Sequence, residues 1–296
     1  MLSVLIPIYN YNAFPLVKEV HKQCLDCTIT FEIICFDDGS GSYMEENQQI
    51  LELSFCHIER LPNNVGRRKI RSKLARAATF DWLLFLDADV FPVKSDFMEQ
   101  YVNAIGDDTD VIYGGLAYTT EEPPVDYVLR WQYGRQREAI GIEKRQKRWY
   151  ETVLFSNILL KKNVFSAIEG SEYPLGYGYE DLVFGTALRN MKARVEHVQN
   201  EVYHLHTDTS EAFIEKTERS LHSLKFLVEH AIVAKDATRL LQTYYYLKNI
   251  KMERLIRWCF RKLKGRFRQN LLSGTPSLFI FDIYKLGYFC TIDLKE

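Results

Sequence analysis

Nowhere in the 296 residues is there an uninterrupted apolar run of the ~18 or more needed to cross a bilayer as a helix. The best stretch, 278–290, is broken by Asp282 and Lys285. The first residues, MLSVLIPIYN, lack the basic start and the long apolar segment of a secretory leader, so export is not expected. Net charge is also nearly absent: 38 Lys and Arg balance 39 Asp and Glu, which gives no global reason to expect nucleic acid as a partner. Cysteine is sparse, with six residues at 24, 27, 35, 56, 259 and 290. A chain this long needs no disulfide staples, and such scattered thiols fit a reducing cytoplasm. Cys24 and Cys27 form a CxxC, but no second pair follows at zinc-site spacing, so buried thiols are the expectation.

What the chain does have is apolar content, 47%, enough for a substantial core. Its first 118 residues alternate short β-rich runs (3–9, 31–36, 55–60, 82–86 and 111–116) with helical patterns. Near-continuous apolar strands separated by helices predict an α/β fold with a mostly parallel sheet covered on both faces. In such sheets ligands bind beyond the carboxyl ends of the strands. Three of the predicted strands end in polar clusters: Pro7-Ile8-Tyr9-Asn10, Asp37-Asp38-Gly39-Ser40 and Asp87-Ala88-Asp89. Any one of them could be an ordinary turn, but three on one rim point to a site.

Beyond residue 118 the patterns change. Residues 125–148 are polar, basic and helical in pattern, and 152–160 read as a strand. A turn-rich aromatic stretch at 173–179 precedes Glu180-Asp181, which opens a helix predicted over 182–191. After 206 only helical patterns remain, over 211–234, 237–247 and 251–267. The expected division is an α/β domain over 1–208 and a helical extension over 209–296. Residues 248–268 hold nine Lys or Arg against Glu253 alone, a local charge of +8, so the rest of the chain carries −9. At 100° per residue Met252, Leu255, Ile256, Cys259, Leu263 and Phe267 share one face, and Arg254, Arg257, Arg261, Lys264 and Arg268 the other. Such a helix either lies on an anionic membrane surface or packs its apolar face on the domain and solvates the basic one.

Two carboxylates one residue apart at a strand end are expected to project to the same side. As hard oxygen donors, Asp87 and Asp89 suit Mg²⁺ or Mn²⁺ bridging the phosphates of a nucleotide. The ordered set PIYN (7–10), FDDGS (36–40), NVG (64–66) with Arg71, FLDADV (85–90) and GYGYEDLVFGTAL (176–188) resembles the family 2 glycosyltransferases of GT-A fold over roughly the first 206 residues. That resemblance implies a nucleotide-sugar donor, a UDP-sugar foremost, and a saccharide or lipid-linked glycan acceptor of the kind used in surface polysaccharide synthesis. It implies that Pro7 and Tyr9 line the base pocket with Tyr9 stacking on the base, that Asp38 bonds the base edge with Asp37 shaping the pocket, and that Gly66 and Arg71 border the nucleotide. Asp89 becomes the principal metal ligand and Asp87 a partner for ribose and metal. His206, in preference to His204, completes the metal shell. Asp181 is implied as the general base of an inverting reaction, with Glu180 orienting it or bonding the acceptor. Trp131, Trp149 and the aromatics of 173–179 are candidates for stacking on sugar rings.

Other readings compete. A haloacid dehalogenase-type phosphatase also uses DxD but places it near the N-terminal strand, and a sugar nucleotidyltransferase wants a Gly-rich loop where PIYN stands. A catalytically silent, membrane-associated scaffold is the non-enzymatic alternative. The intact DxD and ED pairs argue against it.

Overall fold

The computed structural model describes residues 1–169, 177–205 and 208–292. Along the chain run β1 (Leu2–Ile8), α1 (Phe14–Asp26), β2 (Phe31–Asp37), α2 (Met44–Gln48), β3 (Cys56–Arg60), α3 (Arg67–Ala77), β4 (Trp82–Leu86), β5 (Val90–Pro92) and α4 (Phe97–Ala104). Then come β6 (Val111–Tyr113), β7 (Leu116–Ala117), α5 (Val128–Tyr133), α6 (Ile142–Gln146), β8 (Asn157–Lys161), α7 (Lys162–Glu169) and α8 (Glu180–Asn190). The last elements are β9 (Val195–His197), β10 (Val202–His204), α9 (Ser210–Glu229), α10 (Arg239–Asn249), α11 (Glu253–Leu271) and α12 (Leu278–Phe289).

The elements group into two compact units. The first comprises the described residues of Met1–Tyr118, Glu138–Glu172 and Ala187–His206; the second, those of Thr119–Arg137, Tyr173–Thr186 and Thr207–Glu296. The units therefore interleave in sequence, where the expectation was a single cut at 208.

The first unit is built on a seven-stranded sheet of order β3-β2-β1-β4-β8-β6-β9, parallel except for β8. Strand β1, LSVLIPI, is buried along nearly its whole length, as a central strand covered on both faces must be. The chain winds outward through β2 and β3 and returns to place β4 on the other side of β1, so the strand order reverses between β1 and β4. That switch point is where an open α/β sheet leaves a crevice at its carboxyl edge. A second, three-stranded sheet, β5-β10-β7, forms just beyond that edge. The predicted strand at 111–116 is two short ones, because Gly114-Gly115 interrupts it: a Cβ on Gly115, at φ +98°, would lie 2.8 Å from the guanidinium carbon of Arg145. The strand expected over 152–160 is confined to β8, which begins at Asn157.

A buried polar frame locks this region. The Tyr101 hydroxyl donates to Asn157 Oδ1 (2.7 Å), and Asn157 Nδ2 donates to the carbonyls of Gly115 and Asn200. Arg145, 1% exposed, donates to the carbonyls of Tyr113 and Val198 and to Glu201 Oε1. A buried guanidinium survives only with such partners.

In the second unit α9, α10 and α12 bury Leu221, Leu224, Leu241, Tyr244 and Phe289 in one cluster, while Leu129, Ile214, Phe260, Phe281 and Tyr284 form another. Thr209, Thr238 and Ser277 cap α9, α10 and α12 with side-chain oxygens that accept from backbone N–H groups. The helical pattern of 125–148 is divided into a 3₁₀ turn at Val125–Tyr127, α5, a π-helical turn at Gly134–Glu138 and α6. α11 is helical as expected, but its inward side differs from the wheel. Phe260 and Leu271 are buried, and Lys264 and Arg268, expected on a solvent face, reach Glu218 (3.0 Å) and Glu211 (2.7 Å) of α9. Those acids rotate the inward face toward the basic side and leave Leu255 exposed. Among the described residues no helix is long and apolar enough to cross a membrane.

Candidate functional site

Strands β1, β2 and β4 bring their carboxyl ends to one edge of the first unit, and the residues that follow them make the site. Ile8 pairs with Asp37 at the end of the parallel ladder, and the Asp38 amide donates to the Ile8 carbonyl (2.8 Å). Pro7 lies inside β1 opposite Phe36. Tyr9, just past the strand, is 55% exposed, an open aromatic face at the rim. Asn10 turns the chain at φ +50°, donating its amide to Ser40 Oγ (2.8 Å) and accepting from Gly41 N at Oδ1 (2.8 Å).

Asp37 and Asp38 are both buried and both engaged. Asp37 Oδ1 accepts from Ser40 N (2.7 Å), closing the turn. Asp38 accepts from Val65 N at one oxygen (2.7 Å) and from Gly66 N at the other (3.0 Å), so it pins the loop between β3 and α3. Each carboxylate oxygen still has a lone pair for a ligand donor. Gly39, at φ +75°, passes so close to the same loop that a Cβ would meet the Asn63 carbonyl carbon at 2.9 Å. Gly66 opens α3 at φ +88° with open space where a Cβ would be.

The two carboxylates of the DxD engage different partners. The sequence predicts that they project together as alternate strand residues, but the chain turns at Ala88-Asp89, with Val90 N donating to Asp87 O (3.3 Å), so strand alternation does not extend to them. Asp87 accepts from Arg71 Nη2 (2.9 Å) and from Ser156 Oγ (2.9 Å), one at each oxygen. Burial alone would raise its pKa; the charges of Arg71 and Arg67 and the hydrogen bonds from Arg71 and Ser156 outweigh it and hold the carboxyl below its ordinary value. Arg71 is buried, and its guanidinium lies 4.5 Å from the Phe155 ring centre, so packing as well as charge fixes it on Asp87.

Asp89 meets another set of groups. Its Oδ2 is 3.7 Å from His204 Nε2, and its carbonyl accepts from Leu205 N (2.8 Å) where β10 pairs with β5. The His204 ring stacks on Tyr118 at 5.6 Å, and the Tyr118 hydroxyl donates to Glu138. His204 Nδ1 is buried with no partner among the described residues. Tyr11 belongs to the same neighbourhood: burial first, then the negative charge of Asp89, pushes its phenol above the ordinary value. His206, the other histidine of this stretch, lies outside the described residues.

These donors suit a divalent cation whose remaining ligands come from a diphosphate: a carboxylate and an imidazole held close by β-sheet register, with a second carboxylate next door. Among the described residues no three His, Cys, Asp or Glu side chains converge as a self-sufficient metal site.

The Glu180-Asp181 pair belongs to the second unit. Both residues sit in the first turn of α8, half-buried, where the helix dipole favours negative charge. The turn before them is built on α9. Ser223 Oγ donates to the Tyr177 carbonyl (2.9 Å), and Gly178, at φ +93°, packs where a Cβ would lie 2.5 Å from the Ser220 Cβ. Tyr179, at φ +66°, packs against the α9–α12 cluster, and burial raises its phenol. The Tyr177 ring is 38% exposed with the Arg219 guanidinium 5.7 Å from its centre, and Tyr173 lies outside the described residues. Trp131 donates Nε1 to the Thr119 carbonyl (2.9 Å) under the Arg135 guanidinium, and Trp149, half-exposed, offers its carbonyl to His197.

Sequence reasoning missed Ser156, Tyr11, Tyr118 and the bracing role of Asn10. Ser156 could not have been found locally, since it reaches Asp87 only because β8 runs antiparallel to β4.

No curated protein matches the chain. Among solved structures it resembles S. aureus TarS, residues 1–349, at 18% identity and TM-score 0.51, covering 75% of this chain and 64% of that one. The mannosyltransferase PcManGT from Pyrobaculum calidifontis, solved with GDP-Man and Mn²⁺, matches at 12% identity and TM-score 0.52, over 77% of this chain and 64% of that one. A mycobacterial protein matches at 14% identity and TM-score 0.51, over 77% and 73%. The chain thus spans somewhat under two-thirds of the length of the first two, and at these identities the likeness establishes a shared GT-A fold. The model of glycosyl transferase family 2 matches residues 3–163, which include the DxD and end before the Glu180-Asp181 pair. With more than half its length matched and its polar clusters at the sheet's switch point, the chain belongs to glycosyl transferase family 2.

Proposed function

We propose that the protein transfers a sugar from a nucleotide-sugar donor, a UDP-sugar foremost, to a hydroxyl of a saccharide or lipid-linked glycan in surface polysaccharide synthesis, with inversion and with Mn²⁺ or Mg²⁺. The observation that carries this reading is the gathering of Tyr9, Asp37-Asp38 and Asp87-Ala88-Asp89 at the carboxyl ends of β1, β2 and β4, where the strand order reverses. Tyr9 offers a ring for the base, and Asp38 holds the adjoining loop while keeping acceptor capacity for a base N–H. Asp89 and His204, with His206 as a further candidate, would hold the metal, which when bound neutralises charge on the departing diphosphate. Asp87, tied to Arg71 and Ser156, fixes the turn that presents Asp89. Asp181 takes the proton from the acceptor hydroxyl, and Glu180 bonds the acceptor or orients the base. Pro7, Gly66 and Arg71 border the nucleotide. Residues 248–268 give the protein a peripheral place at the cytoplasmic face of a membrane, where a lipid-linked acceptor is found.

The test is a thermal-shift and transfer screen of nucleoside diphosphates and nucleotide sugars with and without Mn²⁺. A cognate donor at about 100 times its Kd stabilises the native state by about 2.7 kcal/mol. In Asp89→Ala the metal-dependent part of that shift is expected to vanish. If no nucleotide sugar shifted the wild-type transition and none was turned over, the transferase reading would fail and a silent scaffold would replace it.

A further inference from the structure

The two sides of α11 are treated differently by the rest of the second unit. On the inward side Phe260 and Leu271 are buried, and Arg257, Lys264 and Arg268 are matched by Glu253, Glu218 and Glu211. On the outward side Arg254, Leu255, Trp258, Arg261, Lys262 and Arg266 are all exposed. At 100° per residue they occupy an arc of about 140°. Trp258, 61% exposed, lies near the middle of that arc with cations on both flanks, and Leu255, one turn away and 48% exposed, lies toward one edge of it. Among the described residues none of the four cations makes an ion pair or hydrogen bond, and no acid of α11 lies on this side.

We propose that this outward face of α11 docks the protein on an anionic lipid surface, with Trp258 and Leu255 in the headgroup–acyl boundary and the four cations against lipid phosphates. An indole half in and half out of an apolar phase is favourable at a membrane interface and costly in water. Arginine and lysine stems extend alongside such a ring and carry their charge up to the headgroups. Charge complementarity selects anionic lipid: the −9 carried by the remainder of the chain is screened beyond roughly 8–10 Å of salt solution, so a plane touching only this face meets its positive potential. The surface deepens the peripheral membrane placement proposed for residues 248–268, on which it rests, and differs from the apolar row that the helical wheel alone would send into lipid, since Ile256, Phe260 and Phe267 of that side pack within the unit.

The test uses the full chain and sedimentation with vesicles of phosphatidylcholine, or of phosphatidylcholine containing one-third phosphatidylglycerol, at low and high salt. The wild type is expected to sediment with the anionic vesicles at low salt only, with a blue shift in the emission that Trp258→Phe removes. Each cation at the surface is worth about fivefold in partitioning. The double variant Arg261→Glu/Lys262→Glu is therefore expected to bind at least about 25-fold more weakly, while Lys264→Gln on the inward side binds as the wild type does. Circular dichroism and donor-induced thermal shift, unchanged in the double variant, separate loss of docking from loss of fold or of the donor site. The proposal is overturned if wild type stays in the supernatant with anionic vesicles, if the double variant sediments equally well, or if a soluble polyanion competes fully while Trp258 emission never shifts.

Discussion

The rim of the first unit and the outward face of α11 both concentrate charge, and they are held in opposite ways. At the rim, protein donors already engage Asp37, Asp38 and Asp87 through backbone amides, Ser156 and Arg71. On α11, four exposed cations have no such partners among the described residues. Charge tied down from several sides shapes a site to sub-ångström tolerance, which nucleotide recognition and proton transfer demand. Charge left in water is adaptable, and suits a fluid surface where no particular geometry recurs.

The strongest way to sharpen this contrast is to remove a carboxylate whose proposed work is chemical. In Asp181→Asn kcat is expected to fall about 10³-fold with donor affinity unchanged, the loss typical of a general base. A comparable rise in KM for donor, with kcat retained, would move Asp181 from the acceptor side of the reaction to the donor side.

Next comes the division of labour inside the DxD. Breaking a buried ion pair by deleting one partner typically costs about 3–5 kcal/mol, because the other charge is stranded. Arg71 is buried and Asp87 partly so, which places Asp87→Ala toward the lower end, about 3 kcal/mol by denaturant unfolding. Asp89→Ala should cost far less stability and abolish the metal-dependent nucleotide shift instead. Equal destabilisation by both would break the distinction between the two residues.

Those assignments also show what could be read from the sequence. The parallel core was legible because β1, β2 and β4 are nearly unbroken apolar runs, and the rim was legible because Asp and Asn follow each of them. The separate fates of Asp87 and Asp89 were not legible: one depends on Ser156, 69 residues away, and the other on His204, brought opposite Val90 by the β5–β10 pairing. The same limit applies to α11. A helical wheel orders its residues correctly, yet it cannot know that Glu211 and Glu218 of α9 lie on the basic side and turn it inward. Nor does any local pattern announce that Arg145, in a basic polar stretch, becomes a core residue.

The interior of the first unit extends the comparison to pH. Burial, followed by the nearby Arg145 cation, lowers the pKa of His197 to about 4, although the Trp149 carbonyl bound to Nε2 works in the other direction. Between that value and the ordinary 6.5 the unfolded chain binds a proton that the folded chain refuses. Stability contributed by neutral His197 is therefore complete above about pH 6.5 and is lost progressively as pH falls toward 4. Urea midpoints measured across that window should decline for the wild type and decline less for His197→Gln. Parallel curves would mean that His197 protonates in the fold as readily as outside it.

The smallest expected effect bears most directly on the contrast between paired and bare cations. Lys264 and Lys262 are two residues apart on one helix, but Lys264 pairs with Glu218 at 3.0 Å and lies near the Tyr288 ring, while Lys262 extends into solvent. Partly exposed ion pairs contribute about 0.2–1 kcal/mol. Lys264→Ala is expected to lower stability within that range in low salt and by less in high salt, and Lys262→Ala to change it by nothing measurable. A loss at Lys262 equal to that at Lys264 would mean that the outward cations already hold the fold together, and would remove the reason for assigning them to an external partner.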